Sequence, residues 1–184
     1  MIEKVRNIAK KHVLEAINIR KHLHAHPELS FQEYETSKYI QSILKKHDIP
    51  FTTGHVKTGI IATIKGKNPD TKEILLRADL DALPIKEDNV VEYKSKNEGV
   101  MHACGHDFHS ASLIGTALIL NELKEDFNGT IKFVFQPGEE KLPGGAKLMI
   151  EDGLLDNKPQ ACIAQHVYPD LQVGKVGFRP GLYM

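Results

Sequence analysis

The segment M-H-A-C-G-H-D-F-H, from Met101 to His109, holds one thiol and three imidazoles in a single short stretch of chain. Donors of this borderline-soft kind suit zinc, manganese or a similar divalent ion. Cys104 and His106 flank Gly105, whose backbone freedom lets the chain turn so that both side chains aim at one point. Asp107 then falls at the start of a helix, where it can cap or offset the helix dipole. His109 lies on that helix and reads as a packing or supporting residue. Three further clusters stand beside this one. Asp79 and Asp81 in R-A-D-L-D-A-L-P are spaced i, i+2, which places both carboxylates on one side of an extended segment. Glu139 and Glu140 close the run Q-P-G-E-E. If that pair stays extended, its side chains point opposite ways and suit different tasks, one holding a metal and the other handling a proton. His166 in Q-H-V-Y-P offers a further ring nitrogen.

Each cluster taken singly has an ordinary explanation: aspartates crowd turns, paired glutamates are commonly solvated, and a lone histidine is usually structural. The Cys-x-His spacing, and the backbone restraint that Pro137 and Gly138 impose just ahead of the glutamates, favour a site. Two other readings stay open. A thiol beside an imidazole can form a nucleophile–base pair, so Cys104 with His102 or His106 would make a cysteine hydrolase. That reading leaves Glu139, Glu140 and His166 without a task. The other is a metal-binding protein without catalysis.

The elements that must position these residues alternate between helix and strand. Val5, Ile8, Ala9, Val13, Ala16 and Ile17 recur at helical spacing and predict a first helix reaching about His24. Ser30 and Glu33 form an S-x-x-E capping box for a second helix, with Ile40, Ile43 and Leu44 on its buried face. Strands are predicted over Gly59–Lys65, Glu73–Ala78, Thr130–Gln136 and Ala161–His166, with one more over Val173–Phe178. Helices are predicted over Asp107–Leu123 and Gly145–Asp152. This alternation indicates a layered α/β domain with a mainly parallel or mixed sheet. Ligands in such sheets collect beyond the carboxyl ends of the strands, where the four clusters fall.

Composition excludes several classes. Lys plus Arg and Asp plus Glu number 24 each, so no global field draws the chain to nucleic acid or to an anionic membrane. The longest apolar run, Ala111–Leu120, is too short to span a bilayer. The N-terminus is charged from its third residue, unlike a signal peptide, and two cysteines point to a reducing, cytoplasmic setting rather than a disulfide framework. Histidine, at ten residues, is the outlier.

R-A-D-L-D-A-L-P-I, M-H-A-C-G-H-D-x-H, F-Q-P-G-E-E with G-G-A-x-x-M-I, and Q-H-V-Y-P together resemble the aminoacylase/carboxypeptidase family of co-catalytic metal hydrolases. The likeness is to its amidohydrolase branch, with hippurate hydrolase and the indole-acetyl-amino-acid hydrolases. L-H-A-H-P-E-L-S-F-Q-E, from Leu23 to Glu33, is similar to that branch's N-terminal signature. The resemblance implies an α/β/α catalytic domain and two divalent ions (zinc, manganese, cobalt or nickel) held by Cys104, His106, Glu140, His166 and one further histidine. It implies Glu139 as general base toward a metal-activated water and Asp81 as the supporting aspartate. The implied substrates are N-acylated amino acids or small peptides.

The resemblance carries one departure. Family members are usually about twice as long, with a lid domain inserted after the catalytic half that supplies substrate contacts and a homodimer interface. The expectation is therefore that residues 1–184 form the N-terminal part of the metal-binding domain, ending at G-F-R-P-G-L-Y-M before the lid and the last histidine ligand. On that expectation the chain alone binds metal incompletely and turns over poorly.

Overall fold

The computed structural model describes residues 1–178. Helix α1 runs over Ile2–Ala25 and α2 over Tyr34–Lys46, followed by strands β1 (Phe51–His55), β2 (Gly59–Lys65) and β3 (Glu73–Asp79). Helix α3 (His106–Glu122), strand β4 (Thr130–Gln136), helix α4 (Gly145–Glu151) and strand β5 (Ala161–Ala164) complete the order. The sheet runs β1-β2-β4-β3-β5. β1 pairs antiparallel with β2, and β2 with β4, whereas β3 runs parallel to both β4 and β5. The sheet is thus mixed, with its parallel half carrying the three strands that lead into the chemical clusters.

The centre of the sheet is covered on both faces, which accounts for the near-continuous apolar runs of β2 and β4. Ile60, Ala62, Ile64, Phe133 and Phe135 point into one large core together with Ile114 and Leu118 of α3, Ile40 and Leu44 of α2, and Ile19 and Leu23 of α1. The alternate residues Leu75 and Val134 face the other way and pack with Met149 of α4. The result is an α/β/α arrangement, thick on the side of α1–α3 and thin beneath α4.

Three sequence expectations are corrected. Val13 and Ile17, placed on the apolar face of α1, are 48% and 44% exposed. The buried residues of that helix are His12, Ile19, Leu23, His24 and Ala25, and Ala16 comes close to Gly115 where α1 and α3 meet. Ser30 and Glu33 do not form a capping box: no side-chain hydrogen bond caps α2 from Glu33. The first-turn amides of Glu35 and Thr36 donate instead to the two carboxylate oxygens of Glu28 (3.2 and 2.8 Å). No strand forms over Val173–Phe178, where Val173, Val176 and Phe178 are almost fully exposed. In addition, β1 was not anticipated from the sequence; a five-residue strand containing Gly54, with an exposed middle, offers no alternation to read. Among the described residues no helix is long and apolar enough to cross a membrane.

Candidate metal centre

Because β3, β4 and β5 are parallel, their carboxyl ends lie side by side, and each runs directly into one cluster. Asp79 ends β3 and Asp81 follows it; Glu139 and Glu140 follow β4; His166 follows β5. His106 opens α3 at the same edge, brought there by Gly105, whose φ of +83° is open to glycine. Close packing fixes that turn as well: a Cβ on Gly105 would lie 2.4 Å from Cγ2 of Val167.

His106 is buried, and neither of its ring nitrogens has a hydrogen-bond partner among the described residues. Around it the structure gathers Asp79, Asp81, Cys104, Glu139, Glu140 and His166. Oδ1 of Asp81 lies 3.4 Å from its Nδ1, and Oδ2 of Asp79 lies 3.7 Å from its Nε2. Oε2 of Glu139 and Oε1 of Glu140 approach the same Nε2 at 3.9 and 3.8 Å. Sγ of Cys104 stands 3.4 Å from Nε2 of His166, and these two with His106 form one donor set whose atoms all lie within 4.8 Å of one another. His106 with Glu139 and Glu140 forms a second set, and His106 with Asp79 and His109 a third. The glutamates are therefore not splayed as an extended pair would be. The chain bends at these residues and both carboxylates converge.

The two aspartates are not solvated acids at a strand end; both are 1% exposed. Burial opposes the charge on Asp79, but the hydrogen bond with Nδ1 of His109 (2.7 Å) and the Arg77 guanidinium (2.7 Å) hold its pKa below the ordinary range. Burial likewise opposes the charge on Asp81. His106, the Ser30 hydroxyl (2.6 Å) and the Glu140 amide (2.9 Å) outweigh it and keep the carboxyl far below its usual value. Burial would depress His106, yet the facing Asp81, Asp79 and Glu139 raise it. Burial and then the neighbouring Glu140 raise Glu139, and the same two causes push the Cys104 thiol up to about 11.

His109 does as expected of a supporting residue: between Asp79 on Nδ1 and the Val167 amide on Nε2 (3.0 Å), it ties β3 to the loop that carries His166. Asp107 departs from the expectation of a cap. It is buried and receives Nε of Arg20 (2.9 Å) and Nδ1 of His24 (2.8 Å), joining the end of α1 to the start of α3. His102 is buried, both of its nitrogens lack partners among the described residues, and burial drives its pKa down to about 4. Sequence reasoning missed Ser30 and Glu33 as parts of this region, since their spacing matched a cap.

An orphaned buried imidazole facing a thiol, a second imidazole and converging carboxylates is the donor chemistry of a divalent cation, and the residues fit one.

A mixed α/β/α sheet with metal-donor residues at its carboxyl edge defines a class, and the comparisons give it a family. The description "Peptidase family M20/M25/M40" matches residues 75–181. The chain belongs to that family. It is 48% identical over 169 residues to "N-acetylcysteine deacetylase" of Bacillus subtilis (strain 168), covering 91% of this chain and 44% of that relative. It is 42% identical over 182 residues to "N-acyl-L-amino acid amidohydrolase" of Geobacillus stearothermophilus, covering 99% and 49%. Among solved structures it resembles the YXEP protein of Bacillus subtilis, described as a dinuclear metal binding peptidase from the M20 family. The TM-score there is 0.88 at 47% identity, over 94% of this chain and 48% of that one. The chain spans a little under half the length of the curated relatives it matches.

Proposed function

We propose that the protein is a metal-dependent amidohydrolase that cleaves the amide bond of N-acylated amino acids or small peptides. In this reading Cys104, His106, Glu140 and His166, with one further histidine, hold two divalent ions in the complete enzyme and Glu139 is the general base. The observation that carries it is the convergence of Cys104, His166, Glu139 and Glu140 on the orphaned nitrogens of His106. When bound, such an ion pair supplies Lewis acidity toward the scissile carbonyl and the attacking water.

The chain's own residues supply the rest. The Glu139 side chain, 41% exposed against 25% for Glu140, is the more accessible of the two to substrate and water. It takes a proton from the attacking water at Oε2 and passes it to the departing amine. Asp81 faces Nδ1 of His106, orients the ring and frees Nε2 for ligation. The names of the relatives, a deacetylase of N-acetylcysteine and an amidohydrolase of N-acyl amino acids, support this substrate class.

The cysteine-hydrolase alternative has less support. The imidazole at hydrogen-bond distance from Cys104 is that of His166 (3.4 Å), and a nucleophilic thiol needs a depressed pKa where this one is raised. Glu139→Gln separates the readings. It should keep its metal content and lose about 10²–10⁴-fold in turnover of an N-acetyl amino acid. A Glu139→Gln protein as active as the parent would overturn the assignment.

A further inference from the structure

In the turn between α1 and α2, Glu28 serves the helix that follows, whereas Ser30 and Glu33 point into the floor of the site. Glu33 has no exposed surface. Its Oε1 accepts the amides of Phe31 (2.9 Å) and Gly138 (2.8 Å), and its Oε2 accepts the Thr58 hydroxyl (2.7 Å). Thr58 is there because β2 runs antiparallel to β4, so the start of β2 meets the end of β4. Gly138 is the residue that turns the chain from β4 into Glu139 and Glu140, at a φ of +57°. The ring of Phe31 fills the space a side chain would need there: a Cβ on Gly138 would lie 2.3 Å from its Cε1. Ser30 reaches the same turn from a second direction. Its hydroxyl donates to Oδ2 of Asp81, the oxygen that also accepts the Glu140 amide.

The Gly138–Glu140 backbone is therefore gripped at two points, and both grips originate in Ser30–Glu33. We propose that Glu33 is a positioning residue: by accepting the Gly138 amide in a dry cradle, it sets where the carboxylates of Glu139 and Glu140 aim. This rests on the reading of those two glutamates given above. All three partners of Glu33 are donors, and none is a formal positive charge. Reach and acceptor geometry therefore matter more than net charge. A glutamine can present its carbonyl oxygen to both amides while its NH₂ faces the Thr58 hydroxyl, which rotates to accept. An aspartate is one methylene too short. A displacement of about 1 Å in catalytic groups is worth on the order of 10²-fold in rate.

The test compares Glu33→Gln and Glu33→Asp with the parent in the intact protein, using Co(II) as probe. The readouts are the Co(II) ligand-field spectrum, the Co(II) dissociation constant from chelator competition, and kcat and KM on an N-acetyl amino acid. Glu33→Asp should change the spectrum, weaken Co(II) binding about tenfold or more and lower kcat about 10²-fold with little change in KM. Glu33→Gln should restore all three to within about threefold of the parent. If Glu33→Asp keeps the parent's spectrum and affinity, or only lowers the melting temperature, the proposal is overturned. It is equally overturned if Glu33→Gln is as impaired as Glu33→Asp. A parent that gives no Co(II) spectrum would instead overturn the metal-centre reading, and this inference with it. Should Glu33→Asp fail to fold, Thr58→Val asks the same question by freeing Oε2 of Glu33. A several-fold loss of Co(II) affinity is then expected, and an unchanged affinity overturns the proposal.

Discussion

His106 concentrates the chemistry of this chain because, among the described residues, it belongs to three overlapping donor sets and spends neither ring nitrogen on a hydrogen bond. What aims it is a single glycine. In Gly105→Ala the left-handed φ would carry a strain of about 1–3 kcal/mol. The new methyl would also collide with Val167, whose amide is held by His109 next to His166. Metal affinity measured by calorimetry should therefore fall about tenfold or more. The second substitution Val167→Ala, which removes the colliding methyl, should recover part of it.

Helix ends place these residues, and two junctions decide how. At the start of α2, Glu28 accepts the first-turn amides from outside the helix, leaving Ser30 and Glu33 to serve the site. Glu28→Ala should lower stability by about 1 kcal/mol in urea unfolding and leave Co(II) affinity unchanged. Ser30→Ala should instead weaken Co(II) binding through Asp81. At the junction of α1 with α3, His24 bridges Asp107 (2.8 Å) and Glu87 (3.0 Å). The Asp107 hydrogen bond raises the His24 pKa above 6.5, burial opposes this, and Glu87 adds to it. A raised folded-state pKa means stabilisation that is fully present below the unfolded value and lost as pH rises through the folded one. The stability gap between the parent and His24→Asn should thus be wider near pH 6 than near pH 9, as urea unfolding at both values would show.

For the whole molecule, one core beneath α1, α2 and α3 supports the side of the sheet whose edge bears the site. Phe133→Ala, emptying a fully buried position at the centre of β4, should cost about 3–5 kcal/mol. Metal and fold are linked in the same way. A divalent ion at about 100 times its dissociation constant should add about 2.7 kcal/mol to the unfolding free energy. A chelator should remove that gain, and His106→Ala should show none of it. With 24 basic and 24 acidic residues, the chain sets up no global field that would steer a charged ligand.

The amino-acid sequence by itself determined the four α-helices and four of the five strands among the described residues, since a buried face repeats at 3.6 residues in helices and β-branched or aliphatic runs mark the inner strands. The same reading called for a strand over Val173–Phe178 that does not form. The sequence also offered the candidate donors that the fold gathers around His106, because Cys-x-His, paired aspartates and paired glutamates are local patterns of residue type. Only the tertiary structure decided how they meet. Parallel pairing of β3 with β4 and β5 put three distant segments at one edge, a fact of pairing that no local window contains. The bend after Gly138 turned two glutamates that alternation would have separated toward one histidine. Ser30 and Glu33 show the limit most plainly. Their spacing satisfies a cap, and their partners are 51 residues away at Asp81 and 105 residues away at Gly138. Local propensity cannot weigh a hydrogen bond to a chain segment that only folding brings near.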